Sequence, residues 1–329
     1  MRYLGQKLGF YLVALWGALT INFLIPRLLP GNPVEILIQK LAARGPVTPE
    51  LRDSVALLLG GDSDQPLLTQ YWNYVVGIFT GDLGTSVTYY PQPVTQIIGQ
   101  ALPWTIVMIG IATTLAFLVG IGLGILAGWK RGSWLDNLVP VTTMFQAVPY
   151  FWLALILLYL LAVTVPIFPV SGGYNYVTSS IGWDWAFISS AIYHGTLPAI
   201  TIVLSSFGGW LLGMRNMMVS TLSEDYITTA EAKGLHPTRI MMTYAARNAV
   251  LPSVAGFAIS LGFVVSGSIV TEQVFSYPGI GSTLLQAVNN SDYALMQGLF
   301  LVITITVLAA NLIVDLLYVL IDPRTRARS

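Results

Sequence analysis

Long apolar segments constrain this chain more than any other sequence feature. Several run for about 20 residues with almost no charge, and 55% of the 329 residues are hydrophobic while only 9% are charged. Soluble domains carry about 25% charged residues, and a membrane-spanning helix must satisfy its backbone hydrogen bonds internally. The sequence therefore predicts an all-α, polytopic membrane helical bundle.

Six transmembrane helices are predicted from the apolar runs. They cover residues 8–29, 102–128, 138–165, 196–216, 250–271 and 298–321. The first exceeds the apolar core of a signal peptide, about 7–15 residues, and no cleavage motif follows, so we expect an uncleaved helix. Pro140 and Pro149 interrupt the third, either as an ordinary kink or as a break that lines a pathway.

Basic residues predict the orientation of these spans. Most of them flank the spans on one side: Arg2, Lys7, Lys130, Arg131, Arg215, Lys233, Arg239, Arg247, Arg324, Arg326 and Arg328. The connections 166–195 and 272–297 contain no Lys or Arg. By the positive-inside rule we expect both termini on the cytoplasmic side.

The spans also suggest a division of the chain. We expect an N-terminal transmembrane helix at 1–30, an extracytoplasmic loop subdomain at 31–101, a transmembrane core at 102–321 and a basic cytoplasmic tail at 322–329. Pro and Gly punctuate the helical stretches of 31–101, so this segment is expected to form a small cap outside the membrane.

One connection, within 223–250, is charged although its neighbours are apolar, and it predicts two short helices. Its six charges exclude a span, because each costs about 2.5–3.5 kcal/mol at the bilayer centre. Ser223 is expected to cap the first helix, Gly234 to end it in the left-handed conformation, and Pro237 to begin the second. Capped helices favour a rigid knob, and its small residues would allow another protein to dock closely on it. The alternative is a solvated loop that contacts no other protein.

Motifs along nearly the whole chain resemble the permeases of ABC importers in their peptide/nickel form. The stretch AEAKGL…RNAVLP is similar to that family's coupling-loop motif. Further matching stretches, in the family's order, are RLLPGNP, GDLGTS, PYFWLALILLYLLA, VFSYPGIGSTLLQAV and NLIVDLLYVLIDPRTR. Thr228 and Thr229 depart from the general EAA motif, and the spacing from Gly to LP is longer than in sugar-type permeases. Both departures fit the peptide branch.

The resemblance implies a type I permease in a bacterial or archaeal cytoplasmic membrane. Its implied partners are a second homologous permease, two ABC ATPase subunits and an extracytoplasmic substrate-binding protein, with no nucleic acid. The sequence contains no G-x4-G-K-[ST] phosphate loop, so ATP and Mg²⁺ are expected on the ATPases, with no cofactor, metal or catalytic residue on this chain. The residues implied in ATPase coupling are Ala230, Glu231, Ala232, Lys233, Gly234, Leu235, Arg239 and Arg247.

A second group of residues is expected near an outer gate. By resemblance, VFSYPGIG folds back between the last two spans, with Gly279 free to adopt positive φ in a turn. The gate candidates are Glu272, Phe275, Tyr277, Pro278, Gly279 and Asp292. Two interpretations of the carboxylates stay open: contact with a substrate amine or a binding protein, and simple solvation.

Two polar residues, Asn311 and Asp315, fall within the last predicted span. Ionisable groups inside a membrane are candidates for function. Asp315 is close to the cytoplasmic end of its span, however, so a structural partner or snorkelling to the interface is the alternative.

Two other functional classes compete with transport. A membrane enzyme needs a nucleophile with a base, or metal ligands, yet the chain has two histidines, no cysteine and no H-E-x-x-H motif. A triad of Asp184, Ser190 and His194 would rest on proximity in sequence alone. The other class is a membrane scaffold.

The substrate class is open at the level of sequence. Peptides follow from the resemblance, while oligosaccharides such as cello-oligosaccharides, or nickel, are alternatives. The segment 171–187 is rich in Tyr and Trp, which suit either sugar stacking or an aromatic belt at the membrane interface.

Overall fold

The protein is described by a computed structural model that covers residues 2–28, 33–43, 45–58, 66–262, 264 and 269–321. Helices account for the regular structure of these residues, and their only β-type pairing is an isolated bridge between Thr85 and Pro93. The prediction of an all-α polytopic membrane protein is therefore confirmed. The boundaries at 30, 101 and 321 stay a prediction.

Two compact units emerge from the packing. The first comprises the described residues within 1–105, 265–269 and 278–329, and the second comprises those within 106–264 and 270–277. The helices of the first unit are α1 (Arg2–Leu28), α2 (Pro33–Ala42), α3 (Pro49–Leu58), α4 (Leu67–Thr80), the start of α5 (Val94–Trp129), α14 (Ile280–Asn289) and α15 (Tyr293–Ile321). Its core joins the first two turns of α5 to α14 and α15, while α1 packs along α15.

The second unit contains the remainder of α5 and the central helices. These are α6 (Trp134–Ala147), α7 (Tyr150–Leu158), α8 (Trp185–Thr221), α9 (Asp225–Ala232), α10 (Pro237–Arg239), α11 (Arg247–Ala249), α12 (Leu251–Gly262) and most of α13 (Ile269–Val274). A π-helical turn at Tyr159–Thr164 continues α7, and another at Ile240–Ala246 joins α10 to α11.

The described helices account for most of the predicted spans. Four are long and apolar enough to cross a membrane, namely Lys7–Leu28, α5, α8 and Tyr293–Ile313. The pair formed by α6 and by α7 with its π-helical turn provides a fifth if its two parts are counted as one span. The remaining predicted span, 250–271, contains the 12-residue α12 and five residues outside the described part of the chain, so it stays a prediction. Both α5 and α8 start well before the predicted positions 102 and 196.

Pro149 alone breaks the third span. The helix α6 ends at Ala147, Val148 is extended, and α7 begins directly after Pro149 at an angle of 94°. The residue before a proline avoids the helical conformation, which explains the stop. Pro140 lies inside α6 instead, where its carbonyl accepts a hydrogen bond from the Thr143 hydroxyl at 2.8 Å. The prediction that both prolines interrupt this span was wrong for Pro140.

Glycines bring α5 and α8 into close contact. Gly120, Gly124 and Gly128 lie one turn apart on α5, and each faces the backbone of α8. A Cβ at Gly124 would lie 2.7 Å from the Met214 Cβ and 2.8 Å from the Leu211 carbonyl oxygen. Small residues with this spacing allow membrane helices to pack backbone to backbone.

We expect Gly124→Ala to lower the thermal unfolding temperature of the detergent-solubilised protein, because overpacking costs about 1–3 kcal/mol. Gly122→Ala is the matched control, since no neighbour lies within 4 Å of its added Cβ and alanine favours a helix. Equal melting temperatures for the two variants would contradict the proposed contact.

Candidate functional site

The charged connection forms a folded knob, defined as residues 225–249. The helix α8 ends at Thr221 and α9 begins at Asp225, with Glu224 at the N-cap and no capping hydrogen bond from its side chain. The Ser223 hydroxyl instead donates to the Ser220 carbonyl at 2.7 Å. The predicted Ser223 cap was therefore wrong, because the hydroxyl bonds back to the last turn of α8.

The end of α9 follows the sequence prediction. Gly234 has a φ of 68°, the left-handed conformation that glycine adopts without strain. Its N–H donates to the Glu231 carbonyl at 2.8 Å, and the Leu235 N–H donates to the Ala230 carbonyl at 3.3 Å. These bonds satisfy the free carbonyls of the last turn. Pro237 then occupies the first turn of α10, as predicted.

An apolar seam fixes the knob to two long helices. We define the knob seam as Ile227, Ala230, Ile240, Ala245, Ala246 and Ala249 of the knob with Phe117 and Ile121 of α5 and Met214 and Met218 of α8. All ten side chains are buried. Phe117 also stacks on Phe257 with ring centroids 4.3 Å apart and packs edge-on against Trp210. The knob is therefore held as a rigid extension of the bundle.

The seam revises one predicted contact. Ala230 is only 2% exposed, because residues three apart on α9 share a face and Ile227 directs that face into the seam. It cannot offer a docking surface while the seam is intact. Leu235 is half-buried against the same seam.

The remaining predicted coupling residues are exposed. We define the knob tip as Glu231, Ala232, Lys233 and Gly234, which surround the end of α9. Arg239 and Arg247 are also exposed. A small residue and a glycine leave the tip narrow. The whole knob carries three basic side chains and two acidic ones, Asp225 and Glu231.

An ion pair that the sequence analysis missed links α8 to α6. Arg215 donates to both carboxylate oxygens of Asp136, at 2.6 and 3.2 Å, and the Gly132 N–H also donates to that carboxylate at 3.0 Å. Arg131 donates to the Val219 carbonyl at 2.9 Å. Bidentate pairs of this kind fix orientation as well as distance. The helix that carries the knob is thus tied to the start of the bent pair α6–α7.

The predicted fold-back segment is tightly packed. Glu272, Phe275 and Tyr277 are each at most 4% exposed. The Tyr277 N–H donates to the Glu272 carbonyl at 2.7 Å, and the Phe275 carbonyl accepts from the Gly172 N–H at 2.9 Å. Burial raises the pKa of the Tyr277 hydroxyl, and the nearby Glu272 carboxylate raises it further.

The turn in this segment differs from the prediction. Ser276 has a φ of 48°, whereas Gly279 is extended with φ −100° and ψ −179°. The predicted positive φ at Gly279 was wrong. The left-handed residue comes three positions earlier, two residues after the end of α13. Gly279 serves as the N-cap of α14, and Pro278 between them is half-buried.

Asp292 is a structural anchor. Its side chain is fully buried and accepts hydrogen bonds from the Ser86 hydroxyl, the Thr88 N–H at 2.8 Å and the Leu295 N–H at 3.1 Å. It caps α15 and holds the turn at 85–90 against that helix end. Burial of both Asp292 and Glu272 shows that the solvated interpretation of these carboxylates was wrong.

The same turn makes a second side-chain contact within the first unit. The Tyr89 hydroxyl donates to the Gln286 amide oxygen at 2.6 Å. Burial raises the pKa of Tyr89, and the Asp292 carboxylate adds to the rise. Both contacts fix the chain immediately before α5.

Residues considered for other roles have structural partners. Asp184 caps α8 through the Phe187 N–H at 2.7 Å, the Ser190 hydroxyl accepts from the Asn175 N–H, and the His194 Nδ1 lies 2.8 Å from the Ser190 carbonyl. These contacts contradict a catalytic triad. Asn311 is half-buried, and the Asp315 side chain lies outside the described residues. Among the residues that the structure describes, no group of three or more His, Asp or Glu side chains could hold a metal ion.

Comparison with known proteins decides the family. The family described as "Binding-protein-dependent transport system inner membrane component" matches residues 120–327, which include the whole knob. The chain belongs to this family. It is therefore a multi-pass membrane permease subunit of a transport system that works with a binding protein.

Several curated relatives are similar over nearly their whole length. The dipeptide transport system permease protein DppB of Escherichia coli (strain K12) is 33% identical over 99% of both chains. The di/tripeptide transport system permease protein DppB of Pseudomonas aeruginosa (strain UCBPP-PA14) is 31% identical over 99% of both. The probable D,D-dipeptide transport system permease protein DdpB of E. coli (strain K12) is 32% identical over 98% of this chain and 96% of its own.

We expect Asp292→Ala to loosen the turn at 85–90, because it leaves buried donors unpaired at about 1–3 kcal/mol each. Thermal unfolding and limited proteolysis of the purified protein would show a lower melting temperature and faster cleavage near this turn. Asp53→Ala is the control, since Asp53 is an exposed acid on α3. Unchanged melting and proteolysis in Asp292→Ala would contradict the anchor.

Proposed function

We propose that this chain forms half of the translocation pathway of an ABC importer for short peptides. Peptides are favoured because the three relatives described above are all named for dipeptide or di/tripeptide transport. No observation in the described residues favours oligosaccharides or nickel over peptides. A scaffold role is disfavoured by the same names, since each refers to a transport permease.

The energy source is proposed to lie on separate ATPase subunits. The sequence has no phosphate loop of its own, and membership of a binding-protein-dependent family implies that other subunits complete the system. Two ATPases carrying ATP and Mg²⁺, a second homologous permease and an extracytoplasmic binding protein make up the proposed assembly.

The rigid knob is the observation that carries the coupling proposal. Its exposed narrow tip allows a partner to approach the backbone closely, and its buried seam prevents the knob from moving alone. Basic residues at 130–131 and 215–247 support a cytoplasmic position by the positive-inside rule. Both termini are proposed to lie on that side.

Movement at the knob tip would reach the pathway through α8. The knob follows α8 after three residues, 222–224. The Asp136–Arg215 pair ties α8 to α6, the first part of the bent pair. ATP must favour one conformation of the ATPases over the other for transport to be driven. Docking of the knob tip on an ATPase would couple this conformational preference of the ATPases to α8 and to the bend at Pro149. The bend is our candidate for a moving part of the pathway.

The segment from Glu272 to Gly279 is proposed to contribute to the outer gate as a packed backbone element. Glu272, Phe275 and Tyr277 are buried, so their proposed role is to hold the shape of the gate. Asp292 is assigned to the same supporting role, because backbone and hydroxyl donors already engage both of its carboxylate oxygens.

We expect Gly234→Pro to abolish ATP hydrolysis stimulated by the loaded binding protein in proteoliposomes. Proline cannot adopt the φ of 68° and removes the N–H that bonds to the Glu231 carbonyl. Gly234→Asn is the matched control, because asparagine tolerates the left-handed conformation and keeps the N–H. Normal stimulated hydrolysis in a fully assembled Gly234→Pro complex would contradict the coupling role.

A further inference from the structure

The helix α4 carries an uncharged, apolar surface outside the spans predicted from sequence. Its sequence, LLTQYWNYVVGIFT, contains no ionisable acid or base apart from two tyrosines. Leu68, Trp72, Val76 and Phe79 are 80%, 66%, 41% and 84% exposed. With 3.6 residues per turn, these four positions fall within about 80° of arc. We call this row of side chains the α4 stripe.

A different face of α4 packs against α1. The Tyr71 hydroxyl lies 3.0 Å from the Thr20 hydroxyl, and the Tyr71 ring packs edge-on against Phe23 with centroids 5.2 Å apart. Tyr74 contacts the same phenylalanine at 5.7 Å. These contacts fix the rotation of α4 about its axis and leave the α4 stripe facing away from α1.

The contact with α1 also fixes the level of α4 relative to a membrane. Thr20 and Phe23 lie in the second half of Lys7–Leu28, a segment long and apolar enough to span. Arg27, one turn later, places its guanidinium 3.6 Å above the Phe23 ring and donates to Gln70 at 3.1 Å. An arginine at the end of a span reaches toward the polar boundary of the bilayer. The Arg27 guanidinium also donates to the Phe23 carbonyl at 2.8 Å, so its charge lies at the level of the Phe23 ring. Gln70, Tyr71 and Tyr74 of α4, which contact Arg27 or Phe23, therefore lie at that boundary.

The C-terminal half of α1 also exposes apolar side chains. Ile21, Leu24 and Leu28 are 56%, 41% and 81% exposed on the same half of α1 that α4 contacts. If α1 crosses the bilayer, these side chains contact lipid. The α4 stripe is uncharged and apolar and lies beside this part of α1, so lipid is a suitable environment for it as well. By contrast, the Glu35 and Arg52 side chains of α2 and α3 form an exposed ion pair that suits water.

We propose that α4 is an interfacial helix whose stripe contacts the acyl-chain boundary of the leaflet around the C-terminal half of α1. Helices of this kind lie in the plane of the interface with their apolar face about 5–10 Å deep. Under this proposal α4 is not part of the extracytoplasmic cap expected for residues 31–101. Only other parts of that segment would form the cap. The polar side chain of Asn73 lies outside the arc of the stripe, about 100° from Trp72 and about 60° from Val76.

The natural absence of cysteine makes this proposal directly testable. Single variants Leu68→Cys, Trp72→Cys and Phe79→Cys, labelled with bimane, are reconstituted in vesicles as the assembled transporter. Nitroxide-labelled lipid is expected to quench the bimane fluorescence at these positions more strongly than iodide does. Iodide is present on both sides of the vesicle membrane. Asn73→Cys, the sequence neighbour on another face, and Asp53→Cys on α3 are the controls, at which iodide is expected to be the stronger quencher.

Two results would overturn the proposal. Stronger quenching by iodide at all three stripe positions would place the stripe in water. Protection from both quenchers in the assembled complex would mean that another protein, such as a partner permease or the binding protein, covers the stripe. Because several stripe positions are tested separately, misfolding of one variant leaves the other two decisive.

Discussion

The knob seam is the interaction on which the rest of the structure depends. A charged protrusion from a membrane bundle can transmit a displacement to the spans only if it does not move independently of the helices that it packs against. Ile227 and Ala230 fill the space beside Met214 and Met218, and all four are at most 2% exposed. Interiors packed at this density transmit displacement because they deform little. The seam therefore makes the knob part of the same rigid body as α8.

Two further features extend that rigidity along the bundle. Glycines on α5 allow it to approach α8 closely, and the Asp136–Arg215 pair fixes the start of α6 to α8. The bend at Pro149 follows directly after α6. Rigid parts and a defined break therefore alternate along this region, an arrangement consistent with the proposed coupling between the knob and the bent pair.

Local features of the site could be predicted from sequence because their causes are local. Gly234 ends α9 in the left-handed conformation and Pro237 begins α10, since each depends on the backbone preferences of one residue. The break at Pro149 follows from the same kind of constraint. Long apolar runs likewise gave the fold class, because membrane thickness sets the length of a span.

Features that depend on distant residues could not be predicted in this way. Asp292 accepts a hydrogen bond from Ser86, more than 200 positions away in the sequence. No local sequence pattern predicts that contact. Ala230 was predicted to contact a partner because it is one of the small residues of the coupling-loop motif, and only the packing against α5 and α8 shows that it is buried. The ion pair of Asp136 with Arg215 also joins residues 79 positions apart.

Site-specific crosslinking tests the central claim most directly. In a chain without natural cysteine, Lys233→Cys places a single thiol on the knob tip of the assembled, ATP-hydrolysing complex. Our account predicts an adduct with an ATPase subunit whose yield changes when nucleotide binds, while Asp53→Cys on α3 gives none. A complex that hydrolyses ATP normally yet forms no such adduct from the knob tip would contradict the account.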